Sequence, residues 1–195
     1  MRMMMPPLLV CCEGKTEQKY FQILQRIYRL PGARISIVGE RGQHMALIDR
    51  TIEEREQFCD TQGFRPDEVE CWAVCDDDNM PWSYKELLDY AEKNSVHLAF
   101  SRPQFEAYLL QHFEQSGEPH QKNLYEKLGA YKVGFDGTGY DASTKGDLEW
   151  LREAIDRKPS IVDTAIVNSN QRRKRSGKVF LTVQTLVEWM RKYKR

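Results

Sequence analysis

The sequence lacks the marks of a membrane or secreted protein. Its 195 residues contain no apolar stretch long enough for a transmembrane helix, which needs about 18 residues. The apolar residues before Leu8 are few and are interrupted by Pro6 and Pro7, so they do not predict a signal peptide. The five cysteines are odd in number and form no C-x-x-C pair, which argues against a disulfide framework. We therefore expect a cytoplasmic protein with reduced cysteines.

The chain as a whole has no excess of either charge, yet its two parts differ. It contains 29 Lys and Arg and 29 Asp and Glu residues. Residues 171–195 carry a net charge of +8, and the residues before them carry −8. An acidic body with a basic tail suits a metal-dependent enzyme that acts on a polyanion. A solvated helix face near the C-terminus is the simpler alternative.

Short apolar runs alternate with stretches of helical periodicity in the first hundred residues. The runs predict strands at residues 8–12, 35–38, 71–75 and 96–100, with helices at 16–30, 43–59 and about 83–93 between them. This β-α-β rhythm predicts an α/β fold, with a parallel-rich sheet flanked by helices. Ligands of such sheets bind at the carboxyl ends of the strands.

From Gln104 onward the pattern is mostly helical. We expect helices at residues 104–114, 121–128, 145–157, 160–167 and 180–193, with a flexible loop at 134–139. This change in character predicts an α/β core over residues 1–115 and a helical C-terminal extension over residues 116–195, packed on that core.

Acidic residues follow two of the predicted strands directly. Glu13 follows the first strand, and Asp76 and Asp78 follow the third with the spacing that places two side chains on the same side of an extended backbone. Carboxylates at close range are costly unless a cation neutralises them, and oxygen ligands suit Mg²⁺ or Mn²⁺. Glu17, one helical turn after Glu13, is a candidate for a second ion or for orienting water. Solvated acidic turns are the alternative.

A further acidic residue lies in the segment after the fourth strand. Pro103 is expected as the first residue of a helix and Ser101 as its cap. Glu106, in the first turn, either complements the helix dipole or joins the proposed metal site, and both interpretations stay open.

A basic run precedes the last predicted helix. Its side chains suit contacts with a nucleic-acid backbone, which position a substrate without reading its sequence. The candidates are Arg172, Arg173, Lys174, Arg175 and Lys178.

Three segments of the chain resemble the RloB-like family: EGKTEQKYF at residues 13–21, VCDDD at 74–78 and SRPQFEAYLLQHF at 101–113, the last being the most specific. The resemblance covers about residues 8–195. Proteins of this family carry a Toprim-like domain and are often linked to restriction and abortive phage infection. Members usually have Trp where Tyr108 stands and Asn where Arg102 stands, so we expect Arg102 to contact phosphate.

The resemblance implies a Toprim-like sheet and a nuclease. Glu13 would then act as acid/base or metal ligand, and Asp76 and Asp78 would hold the metal. The leading hypothesis is therefore an Mg²⁺-dependent nuclease, with Glu13, Glu17, Asp76, Asp78 and Glu106 in its site, acting on DNA or RNA in prokaryotic anti-phage defence.

Functions other than a nuclease also account for parts of the sequence. The chain contains no P-loop pattern G-x-x-x-x-G-K-[ST], so any dependence on ATP would require a separately encoded ATPase. A non-catalytic nucleic-acid-binding or regulatory partner of such an ATPase is the main alternative. A haloacid-dehalogenase-type phosphatase and an Asp-x-Asp glycosyltransferase fit poorly, because both leave Glu13 without a role.

Overall fold

A computed structural model describes residues 4–174 and 177–195. Strands and helices alternate up to the fourth strand, and helices then predominate. The strands are β1 (Leu8–Cys12), β2 (Ile35–Val38), β3 (Glu70–Asp76), β4 (His97–Arg102) and β5 (Phe180–Leu181). The α-helices are α1 (Lys15–Ile27), α2 (His44–Gln62), α3 (Tyr84–Lys93), α4 (Phe105–Leu110), α5 (Gln121–Asp136), α6 (Glu149–Arg157), α7 (Ser160–Lys174) and α8 (Val183–Arg191).

The five strands form one mixed sheet in the order β2-β1-β3-β4-β5. The inner strand β1 is buried along its whole length and runs parallel to both of its neighbours, β2 and β3, with Cys12 opposite Val74. The short edge strand β5 is antiparallel to β4, with Ser101 opposite Leu181. An entirely apolar inner strand is typical of a parallel sheet covered on both faces. The predicted α/β class with a helical C-terminal part is confirmed.

Two compact units divide the chain. The first contains Met1–Cys75, Asn79–Ala99 and Trp189–Arg195, and the second contains Asp76–Asp78 and Phe100–Glu188. The boundary that the sequence predicts, between a core over residues 1–115 and an extension over residues 116–195, stays a prediction. Within the described ranges, no helix combines the length and the apolar character that crossing a membrane requires.

In the first unit, the helices begin and end at recognisable signals. Helix α3 starts with a capping box, in which Ser83 Oγ accepts from the Glu86 backbone N–H and the Glu86 carboxylate accepts from the Ser83 backbone N–H. Helix α2 ends at Gly63, whose φ of 71° is in the left-handed region that glycine adopts without a steric penalty. Apolar side chains of α1 and α2 face the core, among them Tyr20, Phe21, Leu24, Leu47 and Ile48.

The structure corrects the predicted start of the last helix. Phe180 and Leu181 form β5 instead of the first helical turn, because they pair with β4. The Thr182 backbone N–H donates to the Phe100 carbonyl oxygen at 2.8 Å, and Thr182 Oγ1 accepts from the Phe100 N–H at 2.8 Å. These non-local bonds are invisible to helical periodicity, so α8 begins only at Val183.

Two further local predictions are wrong. Ser101 lies inside β4 and caps no helix; α4 begins at Phe105, after Gln104, so Pro103 is not its first residue. Residues 134–136 belong to α5 instead of a loop, because the helix continues until Gly137 adopts a φ of 75°.

The final turn of α5 pairs a buried lysine with an exposed aspartate. Lys132, which is 2% exposed, donates from Nζ to Asp136 Oδ2 at 2.6 Å and also to Thr138 Oγ1. The lysine side chain holds the pKa of Asp136 down at about 2, and the Thr138 N–H adds to this effect. Because the ammonium group is buried, it depends on this carboxylate for compensation.

We expect Asp136→Ala to lower the urea midpoint of unfolding at neutral pH, since it leaves a buried charge without its partner. Glu126→Ala is the matched control on the same helix, because Glu126 is exposed and lies 3.9 Å from Lys122. The native pKa of Asp136 is lowered from 3.8, so its contribution is complete above that value and is lost as pH falls towards 2. The difference between wild type and variant should therefore shrink in acid. An equal effect of the two substitutions would contradict this role of Lys132.

Candidate functional site

The carboxylate of Asp76 is partly buried at the end of β3. Burial raises its pKa from 3.8 to about 6, and the negative charges of Glu106 and Asp78 add to the increase. The Asp78 backbone N–H, which donates to Asp76 Oδ1 at 3.1 Å, and the positive charge of Lys145 act in the opposite direction. Asp76 therefore has a carboxylate whose charge is only partly compensated by the protein.

Glu106 supplies a second buried carboxylate. It lies in the first turn of α4 and is 4% exposed, and burial raises its pKa. Tyr140 donates its hydroxyl to Glu106 Oε1 at 3.1 Å, and this bond together with Lys145 favours the ionised form. We call Asp76, Glu106, Tyr140 and Lys145 the carboxylate cluster; all four belong to the second unit.

The loop at residues 137–148 carries Tyr140 and Lys145. Asp141 Oδ1 accepts from the backbone N–H groups of Ser143 at 2.7 Å and Thr144 at 3.0 Å. These bonds close a compact turn between Tyr140 and Lys145. A Cβ placed on Gly129 of α5 would come within 3.2 Å of the Tyr140 backbone nitrogen. A side chain at this position would therefore force the loop to shift slightly away from the helix.

The middle aspartate of the Asp-Asp-Asp run has a different partner. Arg102 Nε donates to Asp77 Oδ2 at 2.7 Å, and an Arg102 terminal nitrogen donates to Asp77 Oδ1 at 3.3 Å. The guanidinium also lies over the Phe100 ring, 5.7 Å from its centroid. This bidentate pair occupies much of the donor capacity of Arg102. Its predicted contact with phosphate stays a prediction.

Glu13 and Glu17 belong to the first unit. Glu13 follows β1, and its backbone N–H donates to the Val74 carbonyl oxygen at 3.0 Å, so it stands at the carboxyl edge of the sheet. Glu17 is 6% exposed in the first turn of α1. Burial chiefly, together with the charge of Glu17, raises the pKa of the Cys12 thiol. The predicted convergence of Glu13 with Asp76 and Asp78 stays a prediction.

The carboxylate oxygens of Asp76 and Glu106 are candidate ligands for a metal ion. In the part of the chain that the structure describes, no group of three or more His, Cys, Asp or Glu side chains is arranged to hold a metal. Two neighbouring buried carboxylates with raised pKa nevertheless fit Mg²⁺, which commonly binds one or two protein carboxylates and retains several waters. The donor set therefore fits a partly hydrated hard cation better than a dedicated protein cage.

The predicted nucleic-acid contacts lie mainly at the end of α7. Arg172, Arg173 and Lys174 form its last turn, where positive charge also complements the helix dipole. Arg173, Lys174 and Lys178 are exposed, whereas Arg172 is half-buried beside Gly117. Arg175 lies outside the described residues. The role of this basic segment in nucleic-acid binding stays a prediction.

Sequence reasoning did not identify Tyr140 and could not place Lys145 in the site. Both lie in an irregular loop, where neither periodicity nor spacing identifies a functional side chain. Tyr140 is 34 positions away from Glu106 in the sequence, so only the folded structure shows that the two side chains are hydrogen-bonded. The Gly-rich stretch before Tyr140 predicts a loop, but it does not predict which part of the protein that loop contacts.

Replacing Tyr140 with Phe should raise the pKa of Glu106 further, because the ionised carboxylate loses a hydrogen-bond donor. The measurement is a carboxyl NMR titration of ¹³C-labelled protein. Tyr131→Phe is the matched control, since Tyr131 donates to a different glutamate, Glu114, at 3.2 Å. An unchanged Glu106 titration in Tyr140→Phe would show that the hydroxyl does not support the charged form.

Comparison with known proteins relates the chain to a family. The chain matches the family model described as RloB-like protein over residues 8–190. No curated protein and no solved structure matches it. The matched segment includes the end of β3, the start of α4 and the loop that carries Tyr140. Because the match covers nearly the whole chain, the protein belongs to the RloB-like family.

Proposed function

We propose that this protein is an Mg²⁺-dependent nuclease that hydrolyses phosphodiester bonds of DNA or RNA. The observation that carries the proposal is the pair of buried carboxylates, Asp76 and Glu106, next to the positive charge of Lys145. Buried, incompletely compensated carboxylates with raised pKa are more frequent at functional sites than elsewhere. Membership of the RloB-like family also supports a nuclease. The resemblance to a Toprim-like domain implies hydrolysis of phosphodiester bonds as the reaction.

Asp76 and Glu106 would hold the cation, with Asp78 and Glu13 as further proposed ligands. Bound there, Mg²⁺ or Mn²⁺ would polarise a phosphate oxygen and lower the pKa of a bound water. Glu17 is proposed to orient that water. The proposal gives Tyr140 a positioning role: its hydroxyl bond to Glu106 Oε1 fixes the carboxylate and favours its ionised form.

Lys145 is proposed to contact the substrate phosphate. Its side chain is exposed, yet its charge acts on both Asp76 and Glu106. A cation that is accessible to solvent and close to the proposed metal ligands can pair with a phosphate oxygen. Exposed Arg173, Lys174 and Lys178, with Arg172, Arg175 and Arg102, are proposed to bind the nucleic-acid backbone and so add a salt-dependent term to affinity.

A second candidate function is a non-catalytic nucleic-acid-binding or regulatory partner of a separately encoded ATPase. The absence of a three-ligand metal group among the described side chains favours it. The missing P-loop is compatible with either function, since both would take ATP dependence from another protein. A role in prokaryotic anti-phage defence is proposed for both on the basis of the family resemblance.

Cleavage by the purified protein tests the nuclease. With Mg²⁺ or Mn²⁺ it should cut at least one of plasmid, single-stranded DNA and tRNA, and Asp76→Asn should reduce the rate at least 100-fold, roughly the effect of losing one key electrostatic group. Asp67→Asn, an exposed acidic residue after β2 and α2, is the control and should retain full activity.

Mg²⁺ should also raise the melting temperature of wild type but not of Asp76→Asn. Cleavage that survives in Asp76→Asn, or Mg²⁺ stabilisation equal in both proteins, would contradict the proposal.

The affinity for Mg²⁺ should fall as pH drops through about 6, because Asp76 must lose its proton before it can bind a cation. Without metal, the pH dependence of the free energy of unfolding runs the other way. Because the native pKa of Asp76 is raised, the stability that this residue contributes is present at low pH and is lost as pH rises from 3.8 through about 6. Asp76→Asn should therefore be more stable than wild type at pH 8 in EDTA, and not at pH 4. Calorimetric titration and thermal melts at these pH values provide the measurements. A pH-independent Mg²⁺ affinity between pH 5 and 7 would contradict this assignment.

A further inference from the structure

The start of α2 contains a buried histidine with an unmet hydrogen-bonding group. His44 is 5% exposed, and its Nε2 has no hydrogen-bond partner among the described residues. Leaving a buried polar group unsatisfied costs about 1–3 kcal/mol. The His44 backbone has a φ of 51°, a conformation that is costly for a residue with a side chain. A histidine kept under these conditions is a candidate for contact with a ligand.

An exposed tryptophan lies against this histidine. The Trp82 and His44 ring centroids are 6.1 Å apart, and the ring planes meet at 72°. Trp82 is 38% exposed, and it is the aromatic member of the exposed large apolar side chains identified in the described ranges, the others being Met4, Val133 and Val167. The next residue, Ser83, is fixed by the capping box of α3. The indole is therefore anchored at its backbone while part of its ring faces solvent.

The loop before His44 is tied to the carboxyl edge of the sheet. The Arg41 backbone N–H donates to the Cys12 carbonyl oxygen at 3.3 Å, and its guanidinium pairs with Glu54 at 2.8 Å. Gln18 Nε2 donates to the Ile37 carbonyl oxygen at 3.1 Å, which holds the end of β2. Glu13 follows Cys12 directly. The loop that leads into His44 is thus bonded to the end of β1, the strand that Glu13 follows.

We propose that Trp82 and His44 bind an unpaired nucleobase of the substrate. The base stacks on the exposed part of the Trp82 ring, and His44 Nε2 forms a hydrogen bond with a polar group on the edge of the base. Stacking requires an unstacked base, as in single strands and opened duplexes, because a paired base within a duplex offers no free face. The inference rests on the proposed function and narrows its substrate to nucleic acid with unpaired bases.

A nucleobase fits this pair better than a phosphate group does. A phosphate would need positive charge, but Arg41 is already paired with Glu54, and Lys15 lies 3.4 Å from Glu40. An aromatic face next to a ring nitrogen that has no hydrogen-bond partner among the described residues provides stacking and a single directional hydrogen bond. These are the two interactions with which proteins bind unpaired bases.

The test measures binding in EDTA, where no cleavage occurs. The probes are a single-stranded 12-mer, the same 12-mer with abasic sites, a blunt duplex and a free mononucleotide. Trp82→Ala should weaken binding of the single strand roughly 5- to 100-fold, the range expected for losing one stacked base. Binding of the abasic strand and of the duplex should be unchanged. A mononucleotide that binds as tightly as the strand would assign the site to free nucleotides and overturn the substrate assignment.

Tryptophan fluorescence gives a second, direct measurement. The single strand should quench the emission of wild type and of Trp189→Phe, and the quenching should be lost in Trp82→Phe. His44→Asn is the matched variant at the other position, because Asn tolerates a positive φ; it should weaken single-strand binding while the protein still folds. Unchanged single-strand affinity in both Trp82→Ala and His44→Asn, with folding confirmed by circular dichroism, would overturn the inference.

The two proposals fail independently. If Asp76→Asn abolishes cleavage while Trp82→Ala binds the single strand normally, the nuclease stands and the base-binding site is wrong. If binding depends on Trp82 and on the bases but no cleavage occurs with Mg²⁺ or Mn²⁺, the base-binding site stands and the protein is a binding partner instead of a nuclease.

Discussion

The burial of two carboxylates of like charge, Asp76 and Glu106, is the constraint on which the second unit depends. Burial removes water from each carboxylate and so destabilises its ionised form, which raises its pKa. The charge of Glu106 raises the pKa of Asp76 further. The protein offsets part of this cost with the Asp78 N–H, the Tyr140 hydroxyl and the charge of Lys145. Two of these three come from one loop. The cluster therefore exists only if residues 137–148 are held in place.

Aromatic packing holds that loop. The Tyr140 ring meets Trp150 edge-on at 6.3 Å and Tyr125 at 5.4 Å, and Trp150 is stacked in turn on Phe113 at 5.7 Å. Phe113 also stacks on Tyr131, with centroids 4.4 Å apart. These rings come from α5, α6 and the residues after α4, so the helices of the second unit act together on one side chain. This packing gives the helical part a role in the site that its composition alone does not suggest.

The sequence could predict those parts of the site that depend on local pattern. The apolar runs of β1 and β3 identify two buried strands, and the acidic residues that follow them identify the edge of the sheet. Helical periodicity could not predict β5, because Phe180 and Leu181 are held by pairing with β4. It could not select between the two interpretations of Glu106 either. The partners that make Glu106 distinctive, Tyr140 and Lys145, come from a distant loop without periodicity.

The cysteines show why the carboxylates, and not thiols, are the reactive candidates. Burial raises the pKa of Cys11 to about 12 and that of Cys71 to about 11, so both thiols stay protonated and poorly nucleophilic near neutral pH. These side chains serve the core of the first unit. These two thiols are therefore poor candidates for nucleophiles or metal ligands.

On the proposed function, a site with few protein ligands also couples metal binding to substrate binding. Mg²⁺ bound by one or two carboxylates keeps several water molecules, and oxygens of a substrate phosphate can replace some of them. The phosphate would also bring a negative charge to Lys145, whose positive charge acts on Asp76 and Glu106. Metal and nucleic acid would then each increase the affinity for the other, as reciprocal linkage between two ligands requires. The absence of a three-ligand group among the described residues is compatible with such an enzyme, because its substrate would complete the coordination shell.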